Sequence, residues 1–248
     1  MRHKYKSILI LEILYLIVIL FAKNHFAVFL CNTENNENDK SVDVSIKNET
    51  ILPLTDDAGQ EYIDKIYFVG DSTTYHFFKC GIEKSHILVP QSYTLKLTSD
   101  INKILVGNNN LTIAQAIKDA DCEIVIITLG ANGADNFTEA KYKTYYKKLI
   151  YDIKKESPKT KIIIQSVFPV TEEYSNQHQG ITNEGIDRIN EWAKELACEV
   201  EVKYLDTQSI LKNENGAQIE AYSEQDGVHM NSKAYNAIIY YIRTHAIK

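Results

Sequence analysis

The sequence predicts a three-layer α/β/α sandwich with a central parallel sheet, preceded by an N-terminal membrane anchor helix. Two observations carry this prediction. Four short apolar segments rich in β-branched residues alternate with longer segments whose apolar residues recur every three to four positions. The chain also opens with basic residues followed by an apolar run. Strands that alternate with helices form βαβ units, whose right-handed crossovers cover both faces of a parallel sheet.

The first element is the predicted anchor, residues 1–31. Basic side chains at positions 2, 4 and 6 precede an apolar run from Ile8 to Ala22, and a second apolar stretch spans Phe26 to Cys31. This pattern is typical of an export signal, and the segment lacks a small-x-small cleavage site. We therefore expect an uncleaved single-pass anchor at the cell membrane, with its basic end in the cytoplasm and the rest of the chain on the extracytoplasmic side. Secretion after signal cleavage is the alternative.

Residues 32–60 differ in composition from what precedes and follows them. The stretch carries seven acidic residues against two lysines and shows no hydrophobic periodicity. We interpret it as a polar, acidic linker between the membrane and a domain at 61–248. About 190 residues are ample for one hydrophobic core.

Within that domain the strands and helices follow in a regular order. Four apolar segments are predicted to be strands: Lys65–Gly70, Glu123–Leu129, Lys161–Ser166 and Val202–Asp206. The continuous apolarity of the second suits a strand covered on both faces. Three segments show helical spacing of apolar residues: Thr138–Glu156, Ile186–Cys198, and a last helix that begins after Asn231, a natural N-cap.

Composition excludes several classes of function. The net charge of −6 argues against a general nucleic-acid-binding protein, and the sequence has no glycine-rich phosphate-binding loop of the common types. The four cysteines lack a C-x-x-C pair and predict neither a disulfide framework nor a zinc site. We expect them to be small buried hydrophobic residues.

Polar residues with catalytic potential follow the predicted strands. Ligands of open α/β sheets bind outside the carboxyl ends of the strands. Ser72 follows the first strand in Gly-Asp-Ser, Asn132 follows the second, and Asp226 and His229 precede the last helix. Taken alone, each of these residues could equally be explained as a turn or helix-capping residue. Together, at one edge of the sheet, they predict an active site.

The chemistry of that edge would be nucleophilic catalysis. A serine hydroxyl needs a base, and among seven histidines only His229 lies in a loop at a helix start, three residues after an aspartate. Asp226 would orient one ring nitrogen and leave the other for Ser72. His76, four residues after Ser72, is expected to point along the following helix. The backbone N–H of Ser72 and the side chain of Asn132 would stabilise the oxyanion.

Three blocks of this sequence resemble the SGNH hydrolases, also called the GDSL esterase/lipase family, and in particular their membrane-anchored or secreted bacterial branch. The blocks are "FVGDSTTY", "TLGANGAD" and "DGVHMN". The resemblance implies a flavodoxin-like sheet and ester or thioester hydrolysis without a cofactor or a metal. It also implies Ser72 as nucleophile, Asn132 as oxyanion donor, and Asp226 and His229 as the rest of the triad.

Two positions depart from the family pattern. Gly133 follows Asn132 where the family usually has an aspartate. In the second family block a glycine normally supplies a further oxyanion N–H, and the counterpart here, within "QSYTLKL", places Tyr93 at that position. A tyrosine keeps the N–H but loses the conformational freedom of glycine.

We therefore expect a serine esterase acting on small acyl esters, acetyl above all, carried by a small molecule or by a glycan. An O-acyltransferase using the same site and a non-catalytic glycan-binding domain are the alternatives. A metal hydrolase built on Asp71, Asp226 and His229 is the least supported, because the sequence offers no further His or Cys ligand nearby.

Overall fold

The computed structural model of the protein describes residues 49–90, 103–106, 109–177 and 180–247. Among these residues the main sheet has five strands, which in chain order are β1 Ile66–Val69, β2 Ile87–Leu88, β5 Ile124–Ile127, β6 Lys161–Gln165 and β7 Lys203–Leu205. Their order across the sheet is β2-β1-β5-β6-β7, and every neighbouring pair is parallel. A separate antiparallel hairpin pairs β3, Lys103–Val106, with β4, Asn109–Thr112.

Helices lie on both faces of this sheet. In chain order they are α1 Gly59–Ile63, α2 Ser72–Tyr75, α3 Ile113–Asp119, α4 Glu139–Glu156, α5 Glu172–Gln177, α6 Asn183–Glu199 and α7 Ser232–Arg243. Short 3₁₀ turns span His76–Cys80, Lys84–His86, Thr207–Ile210 and Glu220–Tyr222. The predicted α/β sandwich with a parallel sheet is confirmed.

Alternation along the central strand divides the core into two layers. Val125 and Ile127 of β5 pack with α3, α4 and α6, whereas Ile124 and Ile126 pack with α1, α7 and the 3₁₀ turn at His76–Cys80. All four side chains are buried, which is why this strand is apolar at successive positions. The helices on the first face carry the three-to-four-residue spacing of a single buried stripe.

Side-chain caps fix where the predicted helices begin. Thr138 accepts a hydrogen bond from the backbone N–H of Lys141 at the start of α4, and Thr182 accepts one from Gly185 at the start of α6. Asn231 caps α7 by accepting from two backbone N–H groups. These caps satisfy donors that have no intrahelical partner, so the helices start within a few residues of their predicted bounds.

Residues 50–58, which the sequence analysis places in the linker, lie on the domain in the structure. Ile51 pairs with Tyr204 of β7 in a parallel bridge, and the Leu52 side chain is buried. Further along, Asp57 forms an ion pair with Arg243. An apolar Ile-Leu-Pro-Leu run within an acidic stretch covers the β7 edge of the sheet.

The predicted anchor, 1–31, and residues 32–48 of the predicted linker lie outside the described residues. Within the described part of the chain, no helix combines the length and apolarity needed to cross a bilayer.

Candidate active site

Ser72 is the first residue of α2, directly beyond the carboxyl end of β1. Asp71 precedes it as N-cap and accepts hydrogen bonds from the backbone N–H of Thr73 at 3.0 Å and from its hydroxyl at 2.8 Å. Gly70 closes the strand, where a Cβ atom would lie 1.8 Å from Oγ1 of Thr74 and 2.8 Å from the carbonyl oxygen of Thr128. Only glycine permits this close approach, so the turn that raises Ser72 above the sheet depends on it.

The loop before α7 brings a histidine and a carboxylate to the same edge. His229 Nε2 lies 3.0 Å from Ser72 Oγ, and His229 Nδ1 lies 2.6 Å from Asp226 Oδ2. The second oxygen of Asp226 accepts from the backbone N–H groups of Val228, at 2.9 Å, and of His229, at 2.8 Å. A carboxylate only accepts, so Nδ1 carries the proton and Nε2 is the acceptor that faces the serine hydroxyl.

Asp226 is suited to remain ionised. Partial burial alone would raise its pKa, but hydrogen bonds from the side chain and backbone of His229 and from Val228 outweigh that effect and hold the pKa below its usual value. Its side chain is about half exposed, at 52%, and that of His229 is 26% exposed. The site is therefore open to water and to ligands from the side of this loop.

The loop itself is held by the residues that follow β6. Gly227 has φ of 73°, a conformation that favours glycine, and a Cβ there would lie 2.6 Å from Oγ1 of Thr171. The backbone N–H of Thr171 donates to the Gly227 carbonyl at 2.9 Å. A polar cavity of about 330 Å³ lies beside Asp226, with Glu173, Glu220 and Tyr174 in its lining.

Asn132 reaches the same edge from the loop after β5 and is exposed. Its Nδ2 donates to Oδ2 of Asp71 at 3.2 Å. The loop is tied down by Asp135, which accepts from the backbone N–H of Gly180 at 3.0 Å and from the Thr182 hydroxyl at 2.6 Å. A side-chain amide has two N–H groups, so the bond to Asp71 leaves one free.

The Asp71 carboxylate that orients Asn132 is nearly inaccessible, with 3% of its surface exposed. Burial raises its pKa above the usual range, and the hydrogen bonds from Thr73 and the nearby charge of His229 offset this only in part. From the sequence, Asp71 was expected to be a turn residue or, in the least supported alternative, a metal ligand. Its contact with Asn132 was not predicted. Within the described residues, no group of three His, Cys, Asp or Glu side chains is placed to hold a metal ion.

His76 lies in a different place from the one expected. Its ring packs against that of His229 in an edge-to-face arrangement, with centroids 4.7 Å apart and an interplanar angle of 68°. Burial, together with the charges of Lys79 and His229, lowers its pKa to about 4. The sequence contained one indication of this position: His76 is four residues after Ser72, and residues four apart on a helical segment share a face.

Two further predictions have different outcomes. Tyr93 lies outside the described residues. Of the cysteines that the structure describes, Cys122 is buried as expected, whereas Cys80 and Cys198 are only half-buried; all three are free thiols. Their half-exposure reflects positions at helix and turn edges, where one side of the residue meets the core and the other meets solvent.

The chain matches one protein family over most of the described domain. Residues 68–237 match the GDSL-like lipase/acylhydrolase family. No curated protein sequence matches the chain significantly.

Solved structures share the fold at low sequence identity. A protein of Streptococcus pneumoniae, named as a candidate platelet activating factor, is 16% identical, with a TM-score of 0.52 over 88% of this chain and 97% of that one. A candidate acylhydrolase of Bacteroides fragilis is 15% identical, with a TM-score of 0.52 over 85% and 96%. A GDSL-like lipase of Bacteroides thetaiotaomicron is 16% identical, with a TM-score of 0.50 over 79% and 91%.

Identities this low speak for the fold alone. The family match, by contrast, covers 170 consecutive residues, from 68 to 237, and this range includes Ser72, Asn132, Asp226 and His229. With that match, the chain belongs to the GDSL-like lipase/acylhydrolase family and is an SGNH-type serine hydrolase.

Proposed function

We propose that the protein is a serine esterase that hydrolyses small acyl esters, acetyl above all, carried by a small molecule or by a glycan. One observation carries the proposal. The side chains of Ser72, His229 and Asp226 form a continuous hydrogen-bonded chain with distances of 3.0 and 2.6 Å at the carboxyl edge of the sheet. This is the arrangement that converts a serine hydroxyl into a nucleophile.

In the first half-reaction Ser72 is the nucleophile. Its Oγ forms a bond to the ester carbonyl carbon while Nε2 of His229 takes the hydroxyl proton. Asp226, kept ionised by its hydrogen bonds, stabilises the imidazolium that results. The carbon–oxygen bond to the alcohol then breaks, and Nε2 returns the proton to the leaving oxygen.

Water completes the cycle. It attacks the acyl-enzyme carbonyl with His229 as base, Ser72 Oγ leaves with the proton, and the carboxylic acid is released. These steps need neither a cofactor nor a metal.

The oxyanion that forms in each half-reaction needs preorganised donors. The backbone N–H of Ser72 and the free N–H of the Asn132 amide are the donors that we propose. Asp71 fixes the plane of that amide through the 3.2 Å contact to Nδ2. We propose the backbone N–H of Tyr93 as the third donor, on the strength of its place in "QSYTLKL".

We further propose that residues 1–31 anchor the protein in the cell membrane with the catalytic domain on the extracytoplasmic side. The support is the basic start, the apolar run and the absence of a small-x-small site. Protease treatment of intact cells should release the catalytic domain by cleavage within 32–48. A mature N-terminus beyond Ala22 would show instead that the segment is a cleaved signal.

Turnover of p-nitrophenyl acetate, butyrate and octanoate by the purified full chain tests the activity, with Ser72→Ala as the matched control. We expect hydrolysis of acetate in water, a decline toward octanoate, and loss of activity in the variant. Acyl release that occurs only when a glycan acceptor is present would indicate the acyltransferase. Glycan binding without release of p-nitrophenol from any ester would indicate a non-catalytic domain.

A further inference from the structure

Four aromatic side chains follow Ser72 within six residues, and three of them form one continuous surface. We call Tyr75, His76 and Phe78 the aromatic wall. The ring centroids of Tyr75 and Phe78 lie 5.2 Å apart, and those of His76 and Phe78 lie 5.9 Å apart. Both contacts fall within the range of favourable aromatic pairing.

The wall lies at the margin of the hydrophobic core, against which Tyr75 packs while partly buried. Phe77, between its members, is fully buried and stacks on Phe68 with centroids 4.4 Å apart. Phe78, by contrast, is 37% exposed and is among the few large apolar side chains at the surface of the described residues. The 3₁₀ turn therefore directs Phe77 inward and leaves Phe78 exposed, while His76 is partly buried.

The position of the wall relative to the proposed catalytic groups decides which half of an ester would touch it. His76 packs directly against the ring of His229, at 4.7 Å. Nε2 of His229 protonates the leaving oxygen, so the alcohol half of the ester must extend past this imidazole. Asn132, which faces the carbonyl oxygen, comes instead from the loop after β5, the strand next to β1.

One lysine gives the wall its charge. Lys84 Nζ lies 5.3 Å from the ring centroid of Phe78 and 6.0 Å from that of Tyr75. Lys79, on the same segment, is neutralised by Glu224 at 2.8 Å. His76 is neutral near pH 7, because its pKa is about 4. The Lys84 ammonium, which lies over the rings of Phe78 and Tyr75, is thus the charge that a bound ring would meet beside these two residues.

We propose that the aromatic wall is the subsite for the alcohol half of the ester, that this half presents a ring, and that Lys84 favours a ring bearing an anionic group. The inference rests on the proposed esterase function and names its substrate class. An aromatic face binds a flat or ring-shaped partner over an extended area, whereas a short aliphatic alcohol would touch only the ring nearest His229.

Three acetate esters separate the halves of the substrate: ethyl acetate, phenyl acetate and 4-acetoxybenzoate. They share the acyl group and differ in the ring and in its charge. In Phe78→Ala the ratio of kcat/KM for phenyl acetate to that for ethyl acetate should fall about 3- to 10-fold, the range that an aromatic contact is worth. The matched control is Tyr151→Ala, an exposed aromatic residue on α4 at 56% exposure, which should leave this ratio unchanged.

Lys84→Gln tests the charge. It should lower kcat/KM for 4-acetoxybenzoate relative to phenyl acetate about 2- to 5-fold, and added salt should reduce the difference because the ammonium is exposed. An equal ratio in wild type and in Phe78→Ala would overturn the proposal. So would a Phe78→Ala loss that grows with the length of the acyl chain, since the wall would then hold the acyl half.

Direct binding keeps the inference separate from the esterase proposal. 4-Hydroxybenzoate, the alcohol half of the third ester, should bind the Ser72→Ala protein in ligand-observed NMR. Its affinity should weaken in Ser72→Ala/Phe78→Ala and stay the same in Ser72→Ala/Tyr151→Ala. Unaltered binding overturns the subsite even if esters are hydrolysed. Weakened binding by a protein that hydrolyses none of the esters retains the subsite and refutes the esterase.

Discussion

The contact between Asp71 and Asn132 leads to a prediction that joins activity to stability. Replacing Asp71 with asparagine keeps the size of the side chain and an oxygen that accepts from Thr73. The atom that faced Asn132 becomes an amide nitrogen in place of Oδ2, which accepted from Nδ2 at 3.2 Å. Two N–H donors cannot form a hydrogen bond with each other, so the Asn132 amide must rotate, and its N–H no longer points toward the oxyanion.

The size of the effect on rate follows from the role of the amide. Removal of one oxyanion donor typically lowers kcat by about 10²–10³. We expect Asp71→Asn to lower kcat for p-nitrophenyl acetate by about 10², since the misdirected amide is still present. In an Asn132→Ala background the same substitution should lower kcat by less than about tenfold, which leaves only the lost charge near His229. A loss of equal size in both backgrounds would refute the idea that Asp71 acts through Asn132.

Asp71→Asn should increase the thermal stability of the protein although it lowers kcat. The pKa of Asp71 in the folded protein is raised above its ordinary value of 3.8 by burial. A carboxyl group with a raised pKa stabilises the folded state most at pH values below 3.8, where it is protonated. This contribution to the free energy of unfolding is lost as pH rises through the higher pKa of the folded state. At pH 7 the buried carboxylate therefore weakens the fold, and Asp71→Asn should raise Tm, with the gain shrinking as pH falls toward 4.

Asp206 provides the matched control. Its pKa is also raised, chiefly by burial, and it lies after β7 without contact to Asn132. Asp206→Asn should raise Tm with the same dependence on pH and leave kcat unchanged. Thermal unfolding between pH 4 and pH 8 and initial rates at pH 7 measure both quantities. A lower Tm for Asp71→Asn at pH 7 would contradict the argument from burial.

The remaining predictions concern the nucleophile, its base and the turn beneath it. Ser72→Ala should lower kcat by about 10⁶ and abolish labelling by a fluorophosphonate, and a labelled peptide that lacks Ser72 in the wild type would contradict the assignment. A general base acts only in its unprotonated form, so the rate should fall as pH is lowered. Asp226, with its lowered pKa, stays ionised over that range, and a flat profile argues against a histidine base. Asp226→Asn should lower kcat by about 10⁴ with the fold retained, as judged by circular dichroism. Gly70→Ala should destabilise the protein by about 1–3 kcal/mol, since its Cβ meets Oγ1 of Thr74 at 1.8 Å, and Thr74→Ala should restore part of that loss in denaturant unfolding.

The strands and the order of the candidate catalytic residues could be read from the sequence. β5 is buried on both faces, so its residues are apolar at every position, and that pattern is visible without a structure. Parallel strands bring their carboxyl ends to one edge. Ser72, Asn132 and the Asp226–His229 pair therefore had to approach one another once the strands were assigned.

Elements without a periodic pattern could not be read in this way. β2 is two residues long, too short for any alternation to show, and it is defined only by its pairing with Phe68 and Val69 of β1. Residues 50–58 contain a short apolar run at the end of a longer acidic stretch, and its side chains acquire a structural role only against the edge of β7.

The finer organisation of the site was decided by tertiary structure. Asp71 and Asn132 are 61 residues apart, and their contact depends on how the loops after β1 and β5 are spaced by the sheet. His76 meets His229 across 153 residues, because the segment after Ser72 and the loop before α7 come together at the same edge of the sheet. Sequence periodicity reports which face of an element is buried, whereas the partner on that face is set by long-range packing. The contact between Asp71 and Asn132 therefore had no local signal, and the spacing of His76 from Ser72 indicated a shared face but not the partner on it.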